Sequence, residues 1–141
     1  MKKLILCAVA TVVAGAAWAG DYPFQPAEMT NVAIRAGFWL PRFETNRIVT
    51  VWSDFKKSEE TGRISNFENA GKRKGKFVGI PFNDSDVFKI VEGAAYTLST
   101  HPDKKLEAYI DNLIAKMASA QEEDGYINTF FSLEFPKICG S

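Results

Sequence analysis

Two short polar runs carry the residue types that could do chemistry in this sequence. The first is Asn83-Asp84-Ser85-Asp86, directly after the apolar stretch Phe77-Val78-Gly79-Ile80-Pro81-Phe82. The second is Gln121-Glu122-Glu123-Asp124-Gly125-Tyr126. A pair of carboxylates can cleave a glycosidic bond, one as acid and the other as base or nucleophile, but the two must face each other across the bond at roughly 5 Å or more. Asp84 and Asp86 are too close in sequence to span that gap readily. They read better as a helix cap, with an acid matched to the helix dipole, or as acceptors for a substrate's hydroxyls. Asp124 and Tyr126 read equally as part of a solvated turn and as the mouth of a cleft. In a cleft, the ring would stack on a sugar face and the carboxylate would accept hydroxyl protons. Asn83-Asp84-Ser85 also fits the N-glycosylation acceptor pattern.

Other nucleophile chemistry has little to work with. His101 is the single histidine and stands in a turn before Pro102, so a Ser-His-Asp or Cys-His site would have to use an exposed turn residue. Cys139 lies two residues from the end, without the structured pocket that lowers a thiol pKa. No cluster has metal-ligand spacing, and neither a phosphate loop nor a dinucleotide fingerprint occurs.

The elements that must position the polar runs follow from periodicity. Val87, Ile90, Val91, Ala94 and Leu98 recur at spacings of three and four, and so do Leu106, Tyr109, Ile110, Leu113, Ile114 and Met117. His101-Pro102-Asp103 separates the two stripes, so Asn83 to Gln121 is predicted to be an αα-hairpin. Small residues such as Gly93, Ala94, Ala115 and Ala118 would let neighbouring helices approach closely. A further helix is predicted from about Pro41 to Lys57, although the β-branched run Ile48-Val49-Thr50-Val51 weakens it. Val32 and Ile34 alternate as a short strand would. Ser58 to Gly79, with four glycines and the basic run Lys72-Arg73-Lys74, is expected to be a long irregular loop near a binding cleft. The expectation is an all-α fold with three main helices and long loops. A lone hairpin cannot bury both its faces, so it calls for further hairpins beside it, as in a solenoid or an α/α barrel.

The chain has 141 residues, 46% of them hydrophobic and 24% charged, a globular composition. Basic and acidic residues balance at 17 each, which gives no reason to expect a nucleic-acid partner. The first nineteen residues differ from the rest. Lys2 and Lys3 precede the uncharged apolar run Leu4 to Trp18, and Ala17-Trp18-Ala19 has the small-large-small pattern of a signal peptidase site. The run is shorter than the roughly 20 residues of a membrane span. Residues 1–19 are therefore expected to be a cleaved signal peptide and residues 20–141 an exported chain, periplasmic or extracellular, with no membrane partner after cleavage. The mature chain would carry 15 basic against 17 acidic residues and the single Cys139, so no internal disulfide would hold it together.

A set of motifs in order resembles the opening of glycoside hydrolase family 127, the β-L-arabinofuranosidase family. They are Phe38-Trp39-Leu40-Pro41-Arg42, Thr45-Asn46-Arg47, Glu59-Glu60-Thr61-Gly62-Arg63-Ile64-Ser65-Asn66-Phe67, Phe82-Asn83-Asp84-Ser85-Asp86-Val87-Phe88-Lys89, Glu92-Gly93-Ala94-Ala95-Tyr96, and Gln121 with Asp124-Gly125-Tyr126. The resemblance implies the amino-terminal part of an (α/α)6 barrel, with β-sandwich domains beyond it. It implies an enzyme that releases terminal arabinofuranose from plant glycans with retention of configuration. It also implies zinc in the full-length family, holding a cysteine nucleophile as thiolate, and a separate acid/base glutamate. None of those catalytic or metal residues can be carried onto this sequence, and Cys139 does not match them. Lys137 to Ser141 does not read as the family's continuation, so the expectation is a truncated reading frame, inactive alone. What the resemblance carries over is a substrate-binding rim of Asp84, Asp86, Asp124 and Tyr126. Two rivals remain: a non-catalytic carbohydrate-binding module of the envelope, and a fragment of another α/α-barrel enzyme such as an unsaturated glucuronyl hydrolase, which would want a basic cleft.

Overall fold

A computed structural model describes residues 24–136. The expected signal peptide and Cys139 lie outside the described residues. After a single 3-10 turn at Met29–Asn31, helix α1 runs over Trp39–Thr45 and α2 over Val51–Glu60. Between them Asn46–Thr50 is a π-helical segment, and helical backbone angles hold through both junctions. The three pieces make one long rod, so the helix predicted from Pro41 to Lys57 exists and is longer. The β-branched residues that weakened the prediction coincide with the π segment, a wide turn that relieves crowding along the helix.

Helix α3 (Arg63–Gly71) corrects the expectation of an irregular stretch from Ser58 to Gly79. Gly62 stands at its start with φ of +79°, turning the chain sharply out of α2. Ile64, Phe67 and Ala70 face the core, and Asn66 is buried with them. Helices α4 (Asp84–Thr100) and α5 (Lys104–Ser119) form the predicted hairpin. Asp103 caps α5, its Oδ1 accepting the amides of Lys105 at 2.8 Å and Leu106 at 3.2 Å. A short α6 (Thr129–Glu134) follows, its start capped by Asn128. The described residues contain no strand; Val32 and Ile34 are exposed and unpaired with any neighbour strand. Among the described residues the three expected helices are all present, as the rod, α4 and α5, and α3 and α6 are added to them.

The directions follow from contacts. Phe43 of α1 lies 5.4 Å from the His101 ring at the far end of α4, whereas Arg63, just past α2, reaches Asp86 at the start of α4. The long rod is therefore antiparallel to α4, and α5 is antiparallel to α4 through the turn. One core joins them, formed by Val51 and Phe55 from the rod, Ile64, Phe67 and Ala70 from α3, Val87 and Ala94 from α4, and Leu106, Ile110 and Leu113 from α5. Trp52, Phe55 and Tyr109 cluster at its edge, and the Tyr109 hydroxyl donates to Glu59 at 2.7 Å. Burial, then the adjacent Glu59 carboxylate, push that hydroxyl well above the usual phenol range. Helix α3 packs tightly on α5. A Cβ on Gly71 would run into the Ser119 side chain, and Lys116 bridges Glu68 across the seam at 2.6 Å.

Candidate functional site

The starts of α4 and α6 gather with α3 and the end of α5 at one end of the bundle, and both polar runs lie there. Helix α4 begins without the side-chain cap expected of Asn83. Instead Asn83 is 1% exposed and its Nδ2 donates to the Val78 carbonyl at 3.2 Å. The buried Asn66 holds the same residue from the other side, donating to the Val78 carbonyl and accepting its amide, both at 2.9 Å. The segment before α4 is thus pinned by two buried amides. The glycosylation pattern at Asn83 is consequently closed to solvent.

Asp84 is placed differently from the rim position expected of it. It is 7% exposed, and its two oxygens accept the Thr129 amide and the Thr129 hydroxyl, each at 2.7 Å. The reason is geometric: α6 packs on α3 and so brings its first residue, Thr129, against the start of α4, where this side chain turns to meet it. Asp86, two residues on, points another way. Its Oδ2 accepts from Arg63 Nε at 3.1 Å, Lys89 lies 3.9 Å from Oδ1, and 41% of its side chain is exposed. With Asp54, Lys57, Ser58, Arg63 and Ile90 it lines a shallow cavity of about 220 Å³.

Asp124 and Tyr126 stand on the loop between α5 and α6. Asp124 Oδ1 accepts the Tyr126 amide at 2.9 Å, and Tyr126 is 44% exposed. Gly125, at φ +91°, makes the turn between them. Gly125 thus turns within the loop, and α5 ends earlier, at Ser119. Gln121 Nε2 donates to the Gly125 carbonyl at 2.9 Å, and the Glu122 amide donates to the Tyr126 carbonyl at 2.8 Å. The Glu122 carboxylate accepts from Ser132 Oγ at 2.6 Å and pairs with Arg73, and these two partners hold it below the usual carboxylate range.

The structure therefore joins Asp84 to the loop that carries Asp124 and Tyr126, through Thr129, and turns Asp86 towards α3. Sequence reasoning missed Arg63, Asn66, Thr129 and the Arg73–Glu122–Ser132 set. Each acts across a separation in sequence that periodicity does not register. His101 is half-buried at the opposite end, with Nδ1 3.0 Å from Thr100 Oγ1. It lines a cavity of about 690 Å³ with Met29, Val32, Ile34, Phe43 and Tyr96. Among the described residues no group of three or more His, Cys, Asp or Glu could hold a metal ion, and no helix is long and apolar enough to cross a membrane.

This arrangement coincides with a known one. The family described as Beta-L-arabinofuranosidase, GH127 catalytic domain, matches residues 31–140. The chain belongs to GH127. It is 43% identical over 65 residues to a non-reducing end beta-L-arabinofuranosidase of Bifidobacterium longum subsp. longum, a match covering 46% of this chain and 10% of that enzyme. A solved GH127 beta-arabinofuranosidase superposes with a TM-score of 0.75 at 44% identity, covering 79% of this chain and 18% of the other. A GH127 beta-L-arabinofuranosidase from Geobacillus stearothermophilus T6 gives 0.72 at 32% identity, covering 75% and 18%. The chain thus spans less than a fifth of the length of these GH127 relatives. GH127 enzymes have an (α/α)6 barrel, and the all-α bundle described here is part of one.

Proposed function

We propose that this chain is the amino-terminal helical part of an exported glycoside hydrolase of the β-L-arabinofuranosidase type, which releases terminal arabinofuranose from plant glycans. The observation that carries the reading is the GH127 match over residues 31–140, supported by a common backbone at 44% identity. That match also favours this reading over an unsaturated glucuronyl hydrolase fragment. Asp124 and Tyr126 are exposed at one end of the bundle, Asp86 is half-buried beside Arg63, and the three serve as substrate contacts, an aromatic face and two acceptors for sugar hydroxyls. Asp84 belongs behind that rim.

The reacting groups are not among the described residues. The zinc that the family implies finds no donor set there, so no catalytic step is assigned to this part of the barrel. On this reading the chain alone is inactive, because the cysteine nucleophile and acid/base glutamate that the family implies have no match among its residues. Incubated with an aryl β-L-arabinofuranoside and zinc, the purified chain is expected to give no turnover above buffer; zinc-dependent release of the aryl group overturns the reading. Export rests on Lys2, Lys3, the apolar run Leu4 to Trp18 and the Ala17-Trp18-Ala19 pattern. Intact-mass measurement on protein from the periplasm or medium is expected to show a chain beginning at Gly20.

A further inference from the structure

We infer that Asp84 and Glu122 are positioning residues: one buried and one partly buried carboxylate that hold the loop between α5 and α6 in one conformation, so that Asp124 and Tyr126 meet a ligand already arranged. The use of that loop for a sugar rests on the reading above; the clamp itself does not.

Three observations carry it. First, the loop is anchored at both ends by acceptors whose partners are distant in sequence. Asp84 takes both donors of Thr129 from 45 residues away, and Glu122 pairs with Arg73 from 49 residues away while taking the Ser132 hydroxyl. Secondly, both carboxylates are largely withdrawn from water, Asp84 at 7% exposed and the Glu122 side chain at 10%. Charged hydrogen bonds made away from water are the strong ones, and breaking one leaves a desolvated group without its partner. Thirdly, the polar residues between the anchors are tied to one another, with Ile127, near the Thr129 anchor, packed against the core. Gln121 bonds Gly125, Glu122 bonds Tyr126, and Asp124 bonds the Tyr126 amide. Such a loop keeps its shape only while its ends stay fixed. Fixing them in advance removes an ordering cost that would otherwise fall on binding.

Asp84→Asn tests the clamp sharply. The amide can accept from one donor of Thr129, but its NH2 then faces the other. The expected result, in the full chain, is hydrogen exchange about tenfold faster at the amides of Gly125, Tyr126 and Thr129, the size of a lost charged hydrogen bond, with Ile110 and Leu113 in α5 unchanged. Glu122→Gln is expected to do the same at Gly125 and Tyr126. Thr129→Ser keeps both donors and restores wild-type exchange, whereas Thr129→Val does not. Titration with methyl β-L-arabinofuranoside, followed through the Tyr126 signals, should weaken about tenfold in Asp84→Asn. Tyr126→Ala should lose binding while its Thr129 amide exchanges as in wild type. The clamp is overturned if Asp84→Asn leaves loop exchange unchanged, or if exchange rises equally in α5, which marks a general loss of stability. A wild-type chain that does not bind the sugar overturns the carbohydrate reading, and the exchange data still decide the clamp.

Discussion

At the end of the bundle where α4 begins, polar side chains hold backbone and one another. Asn66 and Asn83 hold Val78, Asp84 holds Thr129, Arg63 holds Asp86, and Glu122 holds Ser132 and Arg73. At the end where α4 stops, apolar groups stand around an open space instead. Met29, Val32, Ile34 and Phe43 line the larger cavity, and Val32 is 56% exposed. The same helices serve both ends, so the difference lies in the connections. A loop of buried hydrogen bonds has one conformation because each donor has one partner. An apolar edge has no such specification and is fixed by whatever covers it. Chemistry that needs fixed geometry therefore belongs at the first end, where both polar runs lie.

Substitutions can break or sharpen this contrast. The largest effect is expected from Phe67→Ala, which empties a fully buried position of α3 against Phe88 and should cost about 3–5 kcal/mol in a urea titration. Asn66→Ala strands the amide of Val78, whose carbonyl keeps Asn83, and should cost about 1–3 kcal/mol, read from the same midpoint shift. If Asn66→Ala is near neutral, the polar end is not specified by its hydrogen bonds and the contrast fails. Asp103→Ala, at the open end, removes one cap and should cost about 1 kcal/mol. Acid sharpens the same point. The Glu122 carboxyl is held below its ordinary value of 4.5 by Arg73 and Ser132, so its stabilisation is complete above that value and disappears as pH falls through the lower folded one. Thermal midpoints measured from pH 6 downward should therefore fall less steeply in Glu122→Gln than in wild type. Val32→Ser, on the open edge, should change stability by less than about 0.5 kcal/mol, and a larger loss would mean that edge is packed after all.

The hairpin of α4 and α5 was legible because local and tertiary signals agree in it. Val87, Ala94, Leu106, Ile110 and Leu113 are both periodic and buried, and Pro102 and Asp103 mark the turn. Ile114, also in the stripe, is 48% exposed, because the stripe is wider than the face that finds a neighbour. Helix α3 was hidden. It has nine residues, the last of them Gly71, too few to be stable alone, and its fold depends on Phe67 entering the core and Asn66 reaching Val78. The rod was legible in part, since β-branched residues signal strain but not that a π turn absorbs it. At the site, the positions of Asp124 and Tyr126 on a turn could be read from Gly125. The inward turn of Asp84 could not, because its cause is Thr129, 45 residues further along the chain.

The burial of Asn83 bears on production in a eukaryotic secretory host. Its side chain is sealed against Val78 once the bundle closes, so a transferase can reach it only on a nascent, unpacked chain. An oligosaccharide added there would have no room inside and would hold the start of α4 open. The fraction of molecules bearing a glycan would then report how often enzymatic modification outruns folding, and those molecules would be the ones retained by quality control.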